Sequence, residues 1–425
     1  MPEEVCSTDA VFGIVRDVPL NYVARDSVDQ NFINYLALDK HLVIYGSSKQ
    51  GKTCLRKHCL FDDDYIVVQC SNRWSLADIH TTVLKRAGFE ITQSETKTAS
   101  GRNKIMASVA AKLWGTGLDA GAETESTNTT EATTTPLDLD PADVNDIMTA
   151  LRTIEFNKYI VIEDFHYLTV ETQKDFAVAL KAFHEASNLS FIIVGVWLEE
   201  NRLIVYNGDL TGRVVAVDAD NWRPEELEKV IDEGARLLNI QFADDFKQRL
   251  IQESYDSVYI VQDVCREACV QEGVLRTQES LRVIGQNLKV GGIVKEVVDQ
   301  QTGRYMSFLT QFAEGFQPTR LAMYKWLLYP ILTADPSKLE KGFRLAELRL
   351  ALQDKHPEGE KLNPGNLTQA LQSTASLQVD KDIKPIILDY DQTNRRLNVV
   401  DRGFLIWLEQ QGTSELLEMA GLPPS

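Results

Sequence analysis

Basic residues, cysteine and long apolar runs are all in short supply, and each shortage removes a class of function. Lys and Arg number 44 against 62 Asp and Glu, a formal net charge of −18. Nucleic-acid affinity comes chiefly from basic groups neutralising phosphates, so the surface as a whole is unsuited to non-specific polyanion binding. The six cysteines (Cys6, Cys54, Cys59, Cys70, Cys265 and Cys269) show no paired C-x-x-C spacing with histidines. A structural zinc site and a disulfide framework are both disfavoured, and a reducing cytoplasm is the expected compartment. No segment approaches the roughly 20 uninterrupted apolar residues of a membrane span, and no basic stretch leads into an apolar run at the start of the chain. Neither export nor a membrane span is expected. What is present, 44% hydrophobic and 25% charged residues over 425 positions, is the composition of a globular protein of about two or three domains.

The densest chemical signal is a phosphate loop. The apolar, β-rich run HLVIY (41–45) leads into GSSKQGKT (46–53), and CLRKHCL (54–60) continues with helix-compatible residues. In a G-x-x-x-x-G-K-T loop the glycines let backbone N–H groups wrap phosphates, and the helix N-terminus adds a favourable dipole. Gly46, Ser47, Ser48, Lys49, Gln50, Gly51, Lys52, Thr53 and Cys54 are therefore the candidate nucleotide-binding residues. Lys52 is expected to reach the β and γ phosphates of ATP, and the Thr53 hydroxyl to ligate Mg2+.

Such a loop needs a second, acidic element, and YIVIED (159–164) supplies it. Its apolar part reads as a buried central strand that delivers Glu163 and Asp164 to the phosphate end. Glu163 is assigned to magnesium, and Asp164 to orienting or deprotonating the attacking water. His166, in the same loop, reads either as a phosphate sensor or partner-signalling group or as a histidine satisfied by local structure, the commoner fate of polar loop residues. The apolar runs YIVVQC (65–70) and SFIIVGV (190–196), with helical segments at 76–87 and 172–186, complete an α/β alternation expected to form a parallel sheet covered on both faces.

Together these elements resemble the AAA+ and STAND branch of P-loop ATPases, especially the origin-recognition-like members with a helical lid and a C-terminal winged helix. The resemblance spans most of the chain. It implies an ATPase core over 1–222, a lid with connecting helices over 223–316 and a winged-helix domain over 317–425. YVARD (22–26) is similar to the family's F-V-G-R-E entry segment, which packs near the adenine, and so implies Tyr22, Val23 and Arg25 as nucleotide contacts. The same short stretch also reads as a plain helix start capped by Asp26 or Ser27. In DLTGRV (209–214), Arg213 falls where these ATPases often carry an arginine finger for a neighbour's γ-phosphate. A salt-bridged surface arginine fits it nearly as well. Two positions depart from the family: Gly195, Val196 and Trp197 stand where a polar sensor is common, and Tyr259 stands near the second sensor arginine, with Arg266 as a substitute. Both departures favour a slow switch over rapid cycling.

Residues 93–136 interrupt the core with few large apolar side chains and end in the tract ETESTNTTEATTTP. This composition favours a mobile loop, with a hairpin over 107–121 as the other reading. From 318 onward, helices at 321–332, 345–354 and 366–377 precede two strands within 386–400. The third helix, where a winged helix often meets the major groove, carries no basic residue, and Arg395 and Arg396 at the hairpin tip are the clustered positive charge. A protein-contact module is preferred to a DNA reader. The expected function is an ATPase acting as a nucleotide-controlled conformational and assembly switch, forming a homo-oligomer on ATP binding and engaging a partner protein. The resemblance suggests bacterial signalling or anti-phage defence as the setting. The alternatives are an ATP-gated DNA-binding initiator or transposition regulator, and a nucleotide-bound scaffold that does not hydrolyse.

Overall fold

A computed structural model describes residues 5–109 and 136–424. Its centre is a five-stranded sheet of β1 (His41–Tyr45), β2 (Tyr65–Gln69), β3 (Tyr159–Glu163), β4 (Phe191–Val194) and β5 (Val214–Asp218), in the spatial order β2-β3-β4-β1-β5. Every neighbouring pair is parallel, with Val68 opposite Ile162, Val161 opposite Ile192, and Val43 opposite Ile193 and Ala216. The runs are almost wholly apolar because both faces are covered. Successive side chains alternate sides: Val43 and Tyr45 join one core, while Leu42 and Ile44 join the other.

All five strands run the same way, so the loops after their C-terminal ends meet at one edge. There the phosphate loop leaves β1, the acidic loop leaves β3, and residues 219–222 leave β5. The loop after β4 holds the expected sensor position. Trp197 is fully buried and folds back over Gly195, where an added Cβ would lie 1.5 Å from the indole. The position is therefore given to packing, and only glycine fits beneath the ring.

The interruption after residue 93 is not loop throughout. Glu90–Lys97, Asn103–Ser108 and Leu137–Leu139 form a three-stranded antiparallel sheet. Ile105, Ala107, Val109 and Leu139 are buried in the same core as Leu84 and Phe89. A strand half-exposed to water needs only every other side chain apolar, so its composition passes for loop. The Thr-rich tract, and the 107–121 hairpin beyond Val109, lie outside the described residues.

The remaining helices share a second large core. Pro224–Leu238, Asp244–Glu253 and Val258–Gln271 contribute to one apolar cluster that runs on to Leu422. The short helix Thr8–Phe12 belongs to this body and not to the sheet: Phe12 packs edge-on to Phe242, and Thr8 Oγ1 donates to the Val274 carbonyl. An added Cβ on Gly234 would lie 2.2 Å from the Phe12 ring, so the helical glycine makes room for it. Farther on come Met323–Thr333, Leu345–Lys355, Pro364–Gln372 and a three-stranded sheet of Phe343–Arg344, Arg396–Val399 and Leu388–Asp391. The helix expected over 366–377 is broken at Ser373 into Pro364–Gln372 and Thr374–Asp380. Gln378, on the second piece, accepts from the Ile387 and Leu388 amides and donates to the Leu388 carbonyl, so the break seats a buried amide on the incoming strand. Among the described residues, no helix is long and apolar enough to cross a membrane.

Candidate functional site

At the C-terminal edge of the sheet lies a cavity of about 400 Å³. Its floor is the phosphate loop. Gly46 adopts φ +143°, and a Cβ there would lie 3.0 Å from the Asp220 amide nitrogen, so both backbone and space demand glycine. Gly51 takes the left-handed conformation (φ +83°) directly before the helix Lys52–Cys59, the turn that points loop amides and the helix start into one space. Lys49 is also left-handed, at φ 62°, and its ammonium sits 3.8 Å from the centre of the Tyr259 ring.

Lys52 is buried and folds back on its own loop, donating to the Gly46 and Ser47 carbonyls. Burial pushes its pKa down to about 8. Ser48, Lys49, Gln50, Gly51, Lys52, Thr53 and Cys54 all line the cavity, as do Glu163, Asp164 and His166. Gly46 and Ser47 are not lining residues. They shape the loop instead, with the Ser47 amide and hydroxyl both donating to Asp220, at 2.7 and 3.1 Å.

The two carboxylates differ. Glu163 ends β3, and its Oε1 accepts from Arg56 Nε at 3.1 Å. Burial raises its pKa, with Arg56 opposing the rise. Asp164 turns out of the strand at φ 58°, and its Oδ2 accepts from Gln69 Nε2 at 3.0 Å. No cluster of three or more His, Cys, Asp or Glu able to hold a metal occurs among the described residues. Magnesium binds nucleotide sites through one or two protein groups while phosphates and water complete the octahedron. Thr53 and Glu163 both line the cavity and offer oxygen donors of that kind.

Part of the lining is apolar, with Ile14, Val15, Val23, Val230 and Val258. Tyr22 is another lining residue, its hydroxyl donating to Asp29 at 2.6 Å and its ring 4.3 Å from that of His58. Arg25 also reaches the lining but is committed elsewhere. It stacks on Trp222 at 4.0 Å and donates to the Ala219 carbonyl, bracing the loop after β5.

Two expected groups are elsewhere. Arg213 precedes β5, at the sheet edge opposite the phosphate loop, and pairs with Glu185 at 2.8 Å. It does not line this cavity. Arg266 is no substitute sensor: it lies in a neighbouring recess, held by Asp9, Asp263 and Glu267. Acidic neighbours satisfy its charge and hold it away from the loop.

Sequence reasoning missed the partners that arrive from far along the chain. The Ser48 amide donates to the Val400 carbonyl at 2.8 Å. Arg402 donates to the same Asp220 that holds Ser47, at 3.0 Å. Gln50 accepts from the Val258 amide and donates to the Asp256 carbonyl. Beneath these, Arg202 is buried between Glu199 (2.7 Å) and Asp389, joining the loop after β4 to the strand Leu388–Asp391. Of this set only Asp220 left a signal, as an acidic residue just beyond an apolar strand.

No family model and no curated protein matches the chain. Solved structures do. A Walker-type ATPase of Pyrococcus abyssi aligns over 94% of this chain and 99% of its own, with 13% identity and a TM-score of 0.55. The Aeropyrum pernix ORC1 protein, solved in complex with DNA, aligns over 96% and 97% at 10% identity and a TM-score of 0.44. Thermotoga maritima RuvB aligns over 89% and 92% at 12% identity and a TM-score of 0.36. The likeness is one of fold: a P-loop ATPase sheet with appended helical parts, shared with the Pyrococcus abyssi Walker-type ATPase over nearly the whole of both chains.

Proposed function

We propose that the chain is a magnesium-dependent ATPase that works as a nucleotide-controlled conformational switch, with ATP binding favouring self-association and engagement of a partner protein. One observation carries the switch: the phosphate loop is itself a contact surface for the C-terminal part, through Ser48 to Val400 and Ser47 to Asp220 to Arg402. Anything that rearranges the loop acts on that contact. In this reading the loop amides and Lys52 hold the phosphates, releasing Lys52 from the Gly46 and Ser47 carbonyls. Thr53 and Glu163 hold magnesium, which when bound neutralises phosphate charge. To hold the ion, Glu163 would give up its bond to Arg56. Asp164, freed from Gln69, orients the attacking water. Val23 and the apolar part of the lining take the base, and Tyr22 and Arg25 hold that wall in place.

Arg213, on the opposite edge, is accessible only to a second copy, so a finger role requires assembly and release from Glu185. The hairpin and helices of the C-terminal part follow a winged-helix order. Pro364–Gln372 and Thr374–Asp380 carry no Lys or Arg, which supports a protein contact over a DNA one. Light scattering with Mg-ADP and with a non-hydrolysable ATP analogue, beside a phosphate-release assay, tests the proposal. A larger mass in the analogue state and measurable release are expected. Unchanged mass together with no release would refute it.

A further inference from the structure

His166 is 3% exposed, and neither ring nitrogen has a hydrogen-bond partner among the described residues. Buried polar side chains are paired as a rule, and an unpaired imidazole bears its full desolvation cost. Several other buried polar atoms are also unpaired, but none of those residues lines the phosphate-loop cavity, whereas His166 does. Lys52 and Arg202 are the cations whose charge reaches it. In either charge state an imidazole carries at least one N–H to give. His166 lines the cavity together with Lys52, Glu163 and Asp164.

The other face of this loop touches the C-terminal part. The rings of His166 and Tyr167 are 4.1 Å apart. Tyr167 packs against a small cluster of Val196, Val379, Ile386 and Val400, the last of which accepts from Ser48. We infer that His166 donates its ring N–H to the terminal phosphate of a bound nucleoside triphosphate, and that Tyr167 passes the resulting shift to the C-terminal hairpin. This rests on the phosphate-loop reading above and adds to it the group that tells triphosphate from diphosphate. His166 is a reading residue here, with no part in bond making.

The test compares affinity for a non-hydrolysable ATP analogue and for ADP, each with magnesium, by calorimetry. It also follows nucleotide-dependent tryptic cutting at Arg395 and Arg396. His166→Phe keeps a ring but no donor, and is expected to lower analogue affinity roughly tenfold or more relative to ADP, the scale of one hydrogen bond to a charged group. His166→Asn, which keeps a donor, should recover part of that ratio and guards against a packing defect. Tyr167→Ala should keep the affinity ratio but lose the nucleotide dependence of cutting. A wild-type ratio in both His166 variants overturns the inference and leaves the phosphate-loop reading intact. Wild-type cutting behaviour in Tyr167→Ala overturns the relay. If the unmutated protein binds neither nucleotide, the phosphate-loop reading falls first.

Discussion

Nucleotide binding is expected to draw a proton from solvent, because of where Lys52 sits. In the free protein burial holds its pKa at about 8, against an ordinary value of 10.5. A polyphosphate beside the ammonium favours the charged form and reverses that bias. At pH 8 about half of the Lys52 side chains are neutral before binding and nearly all are charged after it, so uptake is about half a proton per site, falling to about a tenth at pH 7. Titration calorimetry in buffers of different ionisation enthalpy reads this number as the slope of observed heat against buffer heat. Lys52→Met should abolish the slope along with most of the affinity. A zero slope at pH 8, or one that grows as pH falls, would refute the reasoning. The linkage to folding has a defined sign. A lysine depressed in the folded state contributes stability above its unfolded value near 10.5, and that stability is lost as pH falls toward about 8. ATP should therefore stabilise the protein more at pH 7 than at pH 10.

Four further outcomes are expected. Asp164→Asn should retain ATP without turnover in a single-turnover assay, and equal phosphate release by both proteins would remove Asp164 from its role. Gly46→Ala, forced to φ +143° against Asp220, should cost about 1–3 kcal/mol in denaturant unfolding and abolish nucleotide binding. Arg202→Met strands Glu199 and Asp389 as buried carboxylates without their cation, so a loss of about 3–5 kcal/mol is expected in the same measurement. Arg402→Ala releases Asp220 from the C-terminal part while leaving its bonds to Ser47, and should raise protease sensitivity of the 386–402 segment in the absence of nucleotide.

What was legible in the sequence was contiguous. The strand HLVIY, the glycine loop and the helix after it are neighbours in the chain, and local conformational demands write the glycines at Gly46 and Gly51 directly. The β3 run YIVIE and the β4 run SFIIV were equally plain, because strands buried on both faces must be apolar at nearly every position. The strands at 90–97 and 103–108 were not, since only alternate residues such as Ile105 and Ala107 face the core. Ser48 to Cys54, Glu163, Asp164, Tyr22, Val23 and Arg25, which the sequence groups as one site, all line the cavity, whereas Gly46 and Ser47 do not. The bonds that tie this site to the rest of the molecule were not foreseen. Arg402 reaches Asp220 across 182 positions and Arg202 reaches Asp389 across 187, and no local pattern encodes such a pairing. Arg266 misled for the complementary reason: its helical position was readable, but the acids around it come from three-dimensional packing.

Hydrogen–deuterium exchange resolved by segment tests the central claim most directly, since the coupling is a hydrogen bond between the Ser48 amide and the Val400 carbonyl. With magnesium and a non-hydrolysable ATP analogue, exchange should slow over residues 46–53 and quicken over 386–402, relative to the free protein. Slowing of both segments, or no change in the second while the first is protected, would contradict the account.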